Sequence, residues 1–432
     1  MKNLKYLLLM LIIVAVLPLV GCSSDEPEVQ SLVADENNEG QYTDGTLFYS
    51  LTEDGQSAQV VRYGNVSPDS TVIIPSKVRI KGKTYEVTRI FSSAFYYCFA
   101  LTAIEIPNSV KEIYGGAFCY CARLKSITLP AAITKIGQNV FQDCSQLEEV
   151  HILGPIDTIA RNAFRNCKSL KSFTVPSSSP SISIQSCAFL YCSSLAAFHV
   201  TSPIKELGGK VFMECTSLES FSFPNGSDLT VLGPGCFLSC SNLISINIPA
   251  SVKTIEDEAF ANCPSIKTVE IPDDSKLEVV GRDAFNGCES LTSLTFTHPL
   301  TSLGYSVFAY CKNLESIVIP ASSTIEYLPR GTFYDCFALK AFEIPAAVKG
   351  IGEKALYQCN SIESLTLPEN LEFISVHNDC RSLKTIHCKE TTPPNIDFDN
   401  FKNLSAIYVP ASCLDDYKSK WMSRADIIYP EE

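Results

Sequence analysis

The feature that most restricts how this chain can fold is a repeat. Its clearest copy runs Ile255-Glu-Asp-Glu-Ala-Phe260-Ala-Asn-Cys263-Pro-Ser-Ile266-Lys-Thr-Val269-Glu-Ile271-Pro272. The template I-x-x-x-A-F-x-x-C-x-x-L-x-x-I-x-I-P recurs from Ile90 almost to the C-terminus. Its phenylalanines are Phe95, Phe118, Phe141, Phe164, Phe189, Phe212, Phe237, Phe260, Phe285, Phe308 and Phe333, with Leu356 in the next place. A fixed period in the twenties predicts a solenoid, because one unit of that size cannot bury its apolar residues alone. The L-x-x-I-x-I segment alternates apolar and polar residues, so it reads as one short strand per coil. Proline ends that strand, since it has no N–H to give to the next ladder. The A-F-x-x-C segment reads as a turn or short helical piece on the opposite wall.

The spacing between repeat phenylalanines is 23 for the first three steps and then alternates 25 and 23 out to Leu356. The extra residues fall in the turn after the strand, at 177–181, 225–228, 273–276 and 321–324. Two readings stand: inherited duplication of a two-coil unit, or a ligand-facing ridge along one edge.

The motif A-F-x-x-C-x-x-L-x-x-I-x-I-P resembles the leucine-rich repeat of the BspA type, found in surface proteins of Bacteroidetes, spirochaetes and some protists. The resemblance covers about Ile90 to Pro410. It implies a mainly β, α/β-type right-handed solenoid with a parallel strand ladder, an N-terminal β cap and a C-terminal helical cap. Neighbouring strands in such a ladder lie about 4.8 Å apart, so about fourteen coils make a rod or shallow arc roughly 60 Å long.

Before the array, Lys2 and Lys5 precede an apolar run from Tyr6 to Val20. That is a secretory leader, too short and too lopsided for a spanning helix. Leu19-Val20-Gly21-Cys22 resembles a bacterial lipobox, which implies lipidation at Cys22. Ser23-Ser24-Asp25-Glu26 resembles the acidic export tag of Bacteroidetes surface lipoproteins. It implies an outer-membrane protein facing outward, with a periplasmic orientation as the alternative. The expected organisation is a leader over 1–21, an acidic flexible tether over 22–45, a β cap over 46–89, the repeats over 90–388, and a degenerate coil with a cap over 389–432. In the cap, Ser412 is placed to begin a short helix whose Leu414, Tyr417 and Trp421 share one face.

Nineteen cysteines in a secreted chain first suggest disulfides. Thirteen of them, from Cys98 to Cys380, occupy one repeat position, so they are expected to stack as a column of buried free thiols. The net charge of −13 opposes nucleic-acid binding, which needs clustered Lys and Arg. No H-E-x-x-H, G-x-S-x-G or glycine-rich phosphate loop occurs, so neither a catalytic, a cofactor nor a metal site is expected. His151, His199 and His387 share an outward strand position but in non-adjacent coils, too far apart for one zinc.

Aromatic residues outside the repeat core remain. One group is Tyr96, Tyr97, Phe99, Tyr114 and Tyr120; a second is Tyr305, Tyr310, Tyr327, Tyr334 and Phe337. They serve either inter-coil packing or a contact patch, since such rings give large contact area at low entropy cost. Asp69-Ser70-Thr71 and Asp157-Thr158-Ile159 resemble the Bacteroidetes O-glycosylation signal, making Ser70 and Thr158 candidate acceptors. Together these observations point to a lipid-anchored surface protein that binds macromolecules. The resemblance implies adhesion to host extracellular-matrix proteins or to other bacteria. The alternatives are glycan capture for a polysaccharide-uptake system, or a passive surface scaffold.

Overall fold

A computed structural model describes residues 29–35, 40–64, 70–340, 342–375, 377–398 and 401–431. The leader, Cys22 and its flanks lie outside the described residues. Among those described, no helix is long and apolar enough to cross a membrane.

The repeats stack as a parallel β-solenoid. In the first wall, Ser126–Leu129 runs parallel to Glu149–Ile152, with Ser126 opposite Glu149 and Thr128 opposite His151. A five-stranded run links Ser172–Thr174, Ala197–His199, Ser220–Phe221, Ser245–Asn247 and Thr268–Glu270. Ile127 and Leu129 point into the core while Ser126 and Thr128 are exposed, as the alternation predicts.

The coils carry two strands, not the single one that the alternation predicts. The Ile that opens each repeat is the inward residue of a second, mostly two-residue strand. Lys135–Ile136, Thr158–Ile159, Ile182–Ile184 and Ile204–Leu207 form one such parallel ladder, and Val231–Leu232 to Ser302–Leu303 form another. Two residues carry too little alternation to be seen as a period. Where neighbouring backbones close up beside this wall, glycine is required. A Cβ on Gly281 would meet the Asp257 amide nitrogen at 2.6 Å.

The A-F-x-x-C segments form a third wall made of turns, not helix. In every coil from Phe95 to Leu356, the residues two before and two after the repeat apolar residue have left-handed backbone. Tyr97 (φ 61°), Asn139 (φ 57°), Asn166 (φ 63°) and Gly287 (φ 74°) are examples. This geometry turns alternate amides toward the next coil. The Phe118 amide donates to the Val140 carbonyl at 2.9 Å, and the Tyr120 amide to Gln142 at 2.8 Å.

Inside run two columns. The repeat phenylalanines stack from Phe95 to Phe333, with the first pair at 5.0 Å and 17° and the next at 5.5 Å and 3°. Beside them the described cysteines are all free. From Cys121 to Cys359 each column thiol donates to the carbonyl of the repeat phenylalanine one coil back, as Cys144 does to Phe118 at 3.2 Å and Cys263 to Phe237 at 3.1 Å. Cys380 donates likewise to Leu356, and Cys98, in the first coil, to Tyr96 of its own turn. The phenylalanine carbonyl already accepts an amide of its own turn, so the thiol fills its second lone pair (Phe118 takes the Cys121 amide at 3.1 Å). Cysteine therefore combines small apolar volume with a weak donor aimed at a buried acceptor.

The longer turns also have structural work. Ser179 and Ser323 are buried, and their hydroxyls accept the Ile156 amide at 2.9 Å and the Leu300 amide at 3.0 Å. Ser227 does the same for the Ile204 amide at 3.0 Å, so three of the four long turns complete the backbone bonding of the shorter coil before them, while Ser275 takes the Leu277 amide of its own coil.

At the N-terminus a mixed sheet covers the first coil. Strands Lys77–Ile80 and Lys83–Ile90 form a hairpin, Leu47–Leu51 pairs antiparallel to Ala58–Tyr63, and Ala58–Tyr63 pairs parallel to Lys83–Ile90. The stretch expected to be a free tether contributes here: Gln30–Ser31, Val33–Ala34 and Tyr42–Thr43 are strands of the same sheet, and Tyr42 is buried. An isolated apolar pair in an acidic stretch is a weak sequence signal, and the sheet edge decides.

At the other end a helix, Leu414–Lys420, buries Tyr417 and is followed by buried Trp421. Trp421 donates to the Pro394 carbonyl at 3.2 Å, and the Tyr417 hydroxyl to that of Glu390 at 2.8 Å. Ser412 does not cap this helix; it lies within a 3-10 turn, Ala411–Cys413, that leads in. A last strand, Ile428–Glu431, adds a parallel rung beside Ala406–Pro410.

Candidate functional site

The turn wall gathers part of each predicted aromatic group and disperses the rest. Tyr96 and Tyr97 have ring centroids 4.2 Å apart, Tyr97 lies 4.7 Å from Tyr120, and Phe99 lies 5.4 Å from Tyr97. These four form one cluster across two coils, with Tyr96, Tyr97 and Phe99 exposed and Tyr120 half-buried. Tyr114 is not part of it: it pairs with Phe91 at 5.8 Å on the second strand wall, and its hydroxyl donates to Glu112 at 2.8 Å.

The second group divides likewise. Tyr310 packs 5.3 Å from Tyr334, which stacks 5.0 Å from Tyr357 at 21°. Tyr357 completes this row and was missed, although it stands two residues before Cys359 as Tyr334 stands two before Cys336. Tyr305 and Tyr327 instead line a groove of about 980 Å³ beside the second strand wall. Tyr327 faces Phe373 across Gly350, with centroids 6.3 Å apart. Phe337 is exposed on the turn wall, one residue past Cys336.

What singles out these tyrosines is their backbone. Tyr97, Tyr120, Tyr191 and Tyr310 have φ of 61°, 63°, 63° and 60°. A bulky L-residue in that region costs about 1–2 kcal/mol, whereas Gly, Asn and Asp adopt it with little penalty. Of the other coils, five use those cheaper residues at the same place, Asp143, Asn166, Asn262, Gly287 and Asp335, and three use Glu214, Ser239 and Gln358. Tyr97 is 50% and Tyr310 41% exposed, so neither burial nor backbone geometry accounts for a ring there. Sequence reasoning found the rings but not the strain. The recurring Asn, Asp and Gly two residues either side of the repeat phenylalanine were the available signal.

Electrostatics reinforce the grouping. The Asp143 carboxylate beside Tyr120 raises the Tyr120 phenol above its ordinary value. A hydrogen bond to Tyr97, then desolvation, pushes Tyr96 up to about 12. Beneath the first cluster Cys119 is pushed up to about 11 by burial, so this thiol is protonated at neutral pH.

The histidines stay apart, as their spacing predicts. His151 meets Glu149 at 3.2 Å, and His387 meets Glu431 at 2.9 Å while stacking on Tyr408 at 4.8 Å. Thr158 sits on the second strand wall, its hydroxyl donating to Asp157 at 2.7 Å. Ser70 begins the strand Ser70–Ile73.

With the geometry in place, the family follows from comparison. The model of the BspA type leucine-rich repeat region matches residues 76–183, 157–288 and 274–377, more than half of the chain. The chain belongs to the BspA-type leucine-rich-repeat family. Among solved structures, a leucine-rich repeat protein from Bacteroides ovatus is 26% identical with a TM-score of 0.72, over 90% of this chain and 99% of that one. A leucine rich cell surface protein from Faecalibacterium prausnitzii is 24% identical over 85% and 96%, with a TM-score of 0.48. The pneumococcal vaccine antigen PcpA is 19% identical over 94% and 99%, with a TM-score of 0.44. No curated protein matches. As a BspA-type chain, this one is a repeat scaffold, and membership of that family supports a protein-binding role.

Proposed function

We propose that this protein is a lipid-anchored adhesin of the outer-membrane surface, held at Cys22, whose turn wall grips other proteins. The observation that carries the reading is the exposed tyrosine at a backbone position that disfavours it. A chain with Asn and Gly available at that position keeps Tyr97, Tyr120 and Tyr310 for what their rings present. Stacked neighbours hold those rings in place, which lowers the entropy cost of contact. Host extracellular-matrix proteins and proteins of other bacteria are the partners the family resemblance implies.

The test is capture of immobilised matrix proteins and of a glycan array by soluble residues 23–432, wild type beside Tyr97→Asn/Tyr120→Asn. The reading expects saturable protein binding that the double variant weakens tenfold or more at unchanged melting temperature. Equal binding by both forms refutes it. For the anchor, radiolabelled fatty acid should enter the wild type and not Cys22→Ala; protease treatment of whole cells then reports outward or periplasmic orientation.

A second reading, glycan capture, draws on a different observation. A groove of about 530 Å³ on the same wall is lined by Glu214, Thr216, Ser239, Ser241, Asn262 and Asn286, with Tyr310 at its edge. Hydroxyls, amides and carboxylates beside a ring suit a sugar. Binding to glycans alone would favour it.

A further inference from the structure

The left-handed column of the turn wall holds a second regularity. Tyr120 is followed in the next coil by Asp143, Tyr191 by Glu214, and Tyr310 by Asp335. Backbone bonds hold each step in register. The Tyr120 amide donates to the Gln142 carbonyl at 2.8 Å, that of Tyr191 to Met213 at 2.9 Å, and that of Tyr310 to Tyr334 at 2.7 Å. In all three cases the acceptor residue immediately precedes the acid. Tyrosine and acid therefore hold neighbouring places in the column, one coil apart, and at the first pair the Asp143 carboxylate acts directly on the Tyr120 phenol.

These acids differ from others that face a neighbouring coil. Glu289 is neutralised by Lys312 at 2.8 Å, Glu326 by Lys349 at 2.8 Å, and Glu363 by Lys384 at 3.0 Å. Asp143, Glu214 and Asp335 take no part in the salt bridges among the described residues. Asp143 accepts bonds from the neutral amides of Asn166 and Gln142. Asp335 Oδ1 is buried and accepts no hydrogen bond among the described residues. Burial raises the Asp335 carboxyl above its ordinary value, and Lys312, which acts on it the other way, is already committed to Glu289.

A ring face beside a carboxylate that its own chain leaves unneutralised complements a cation, above all a planar guanidinium that can lie on the ring. We propose that the turn wall binds a basic segment of a partner protein, with Arg or Lys side chains lying on Tyr120, Tyr191 and Tyr310 and facing Asp143, Glu214 and Asp335. This deepens the protein-binding reading and rests on it. The net charge of −13 favours such a partner over an acidic one. Tyr120 and Tyr191 are three coils apart and Tyr191 and Tyr310 five, about 14 Å and about 24 Å at the usual ladder spacing. One extended segment of about a dozen residues spans all three. Single contacts are weak, and linkage lets their affinities multiply.

The decisive experiment uses the full-length chain in detergent and a fluorescent peptide of alternating Arg and Gly, beside its Glu-Gly counterpart and a neutral oligosaccharide. Tyr120→Asn/Tyr191→Asn/Tyr310→Asn removes three rings, keeps the net charge, and installs a residue that coils elsewhere already use there (Asn166, Asn262). The expected result is saturable binding of the Arg peptide alone, weakened at least tenfold in the triple variant at unchanged melting temperature. Asp143→Asn/Glu214→Gln/Asp335→Asn should lose as much. Equal peptide binding by wild type and the tyrosine variant overturns the proposal, because diffuse charge then explains it. Oligosaccharide binding that the tyrosine variant abolishes, with no peptide binding, overturns it in favour of a sugar. If neither probe binds but a whole protein partner is captured and the tyrosine variant loses it, the basic segment falls and the protein-binding reading stands. Undisturbed capture of that partner by the variant overturns both.

Discussion

The first strand wall and the turn wall are built from the same coils, yet they show solvent different chemistry. On the strand wall the outward residues lie in extended backbone, which any side chain accepts, and the chain fills it with Ser126, Ser172, Ser220 and Ser245. On the turn wall the residue before each repeat cysteine is left-handed, a conformation suited to Asn, Asp and Gly, and there the chain sets tyrosines. The permissive surface is plain and the restrictive one carries the large rings. A bulky side chain where the backbone resists it is the stronger pointer to function, because propensity opposes it.

That contrast presumes that both walls share one core, and the largest expected effect tests this. Phe237 lies between Phe212 at 5.3 Å and Phe260 at 5.5 Å and is fully buried. Phe237→Ala should cost about 3–5 kcal/mol. In a solenoid each coil leans on its neighbours, so urea unfolding should also lose its single transition. A loss below about 1 kcal/mol would mean that the walls hold without the phenylalanine column.

Next in size is the close approach at the second strand wall. Gly281→Ala should cost about 1–3 kcal/mol, since its Cβ meets backbone that cannot move aside alone. A neutral result would show that coils there slide past one another, and the register that places Tyr310 beside Asp335 would lose its rigidity argument.

How much of this was legible in the residues differs by wall. The parallel ladder, its register and its inward residues follow from apolar spacing, and Ser126 opposite Glu149 is where the repeat puts it. Cysteine's column was legible too, though not its acceptor, because a carbonyl with a spare lone pair has no sequence signature. The second strand was hidden by its two-residue length. Tyr114 and Tyr120 look equivalent in sequence, both aromatic and six residues apart, yet one sits on the second strand wall and the other on the turn wall. The repeat places them differently, Tyr114 after the opening Ile113 and Tyr120 before Cys121, but with the second strand unseen, that difference does not read as two separate walls.

The thiol column gives a smaller effect with a definite pH sign. Burial pushes Cys263 up to about 12, from an ordinary value near 9. Below pH 9 the thiol is protonated whether the chain is folded or not. From pH 9 toward 12 only the unfolded chain ionises it, so stability falls across that window. Cys380 is pushed up to about 12 by burial as well, so the column should act together and the melting temperature should drop steeply above pH 9. Cys263→Ala should cost about 1–2 kcal/mol at pH 7. It should also shed its share of the alkaline loss, read as a smaller fall in melting temperature between pH 8 and pH 10, each about a unit from the ordinary thiol value. An identical pH profile would mean the thiols do not set it.

The smallest effect bears most directly on the comparison. If Tyr310 is kept for its ring, removing the ring should cost no stability. Tyr310→Asn relieves left-handed strain of about 1 kcal/mol. It loses the packing against Tyr334, an aromatic pair worth about 0.5–1.5 kcal/mol. These offset, so denaturant melts should show a net change within about 0.5 kcal/mol of zero. Ser126→Asn on the strand wall, where no ring is lost and no strain relieved, is the matched control and should be silent in stability and, unlike Tyr310→Asn, silent in binding too. A loss above about 2 kcal/mol for Tyr310→Asn would assign the ring to packing, and the turn wall would then be as plain in function as the strand wall. Unchanged stability together with weakened partner capture would separate the two walls by function as their backbones already separate them by geometry.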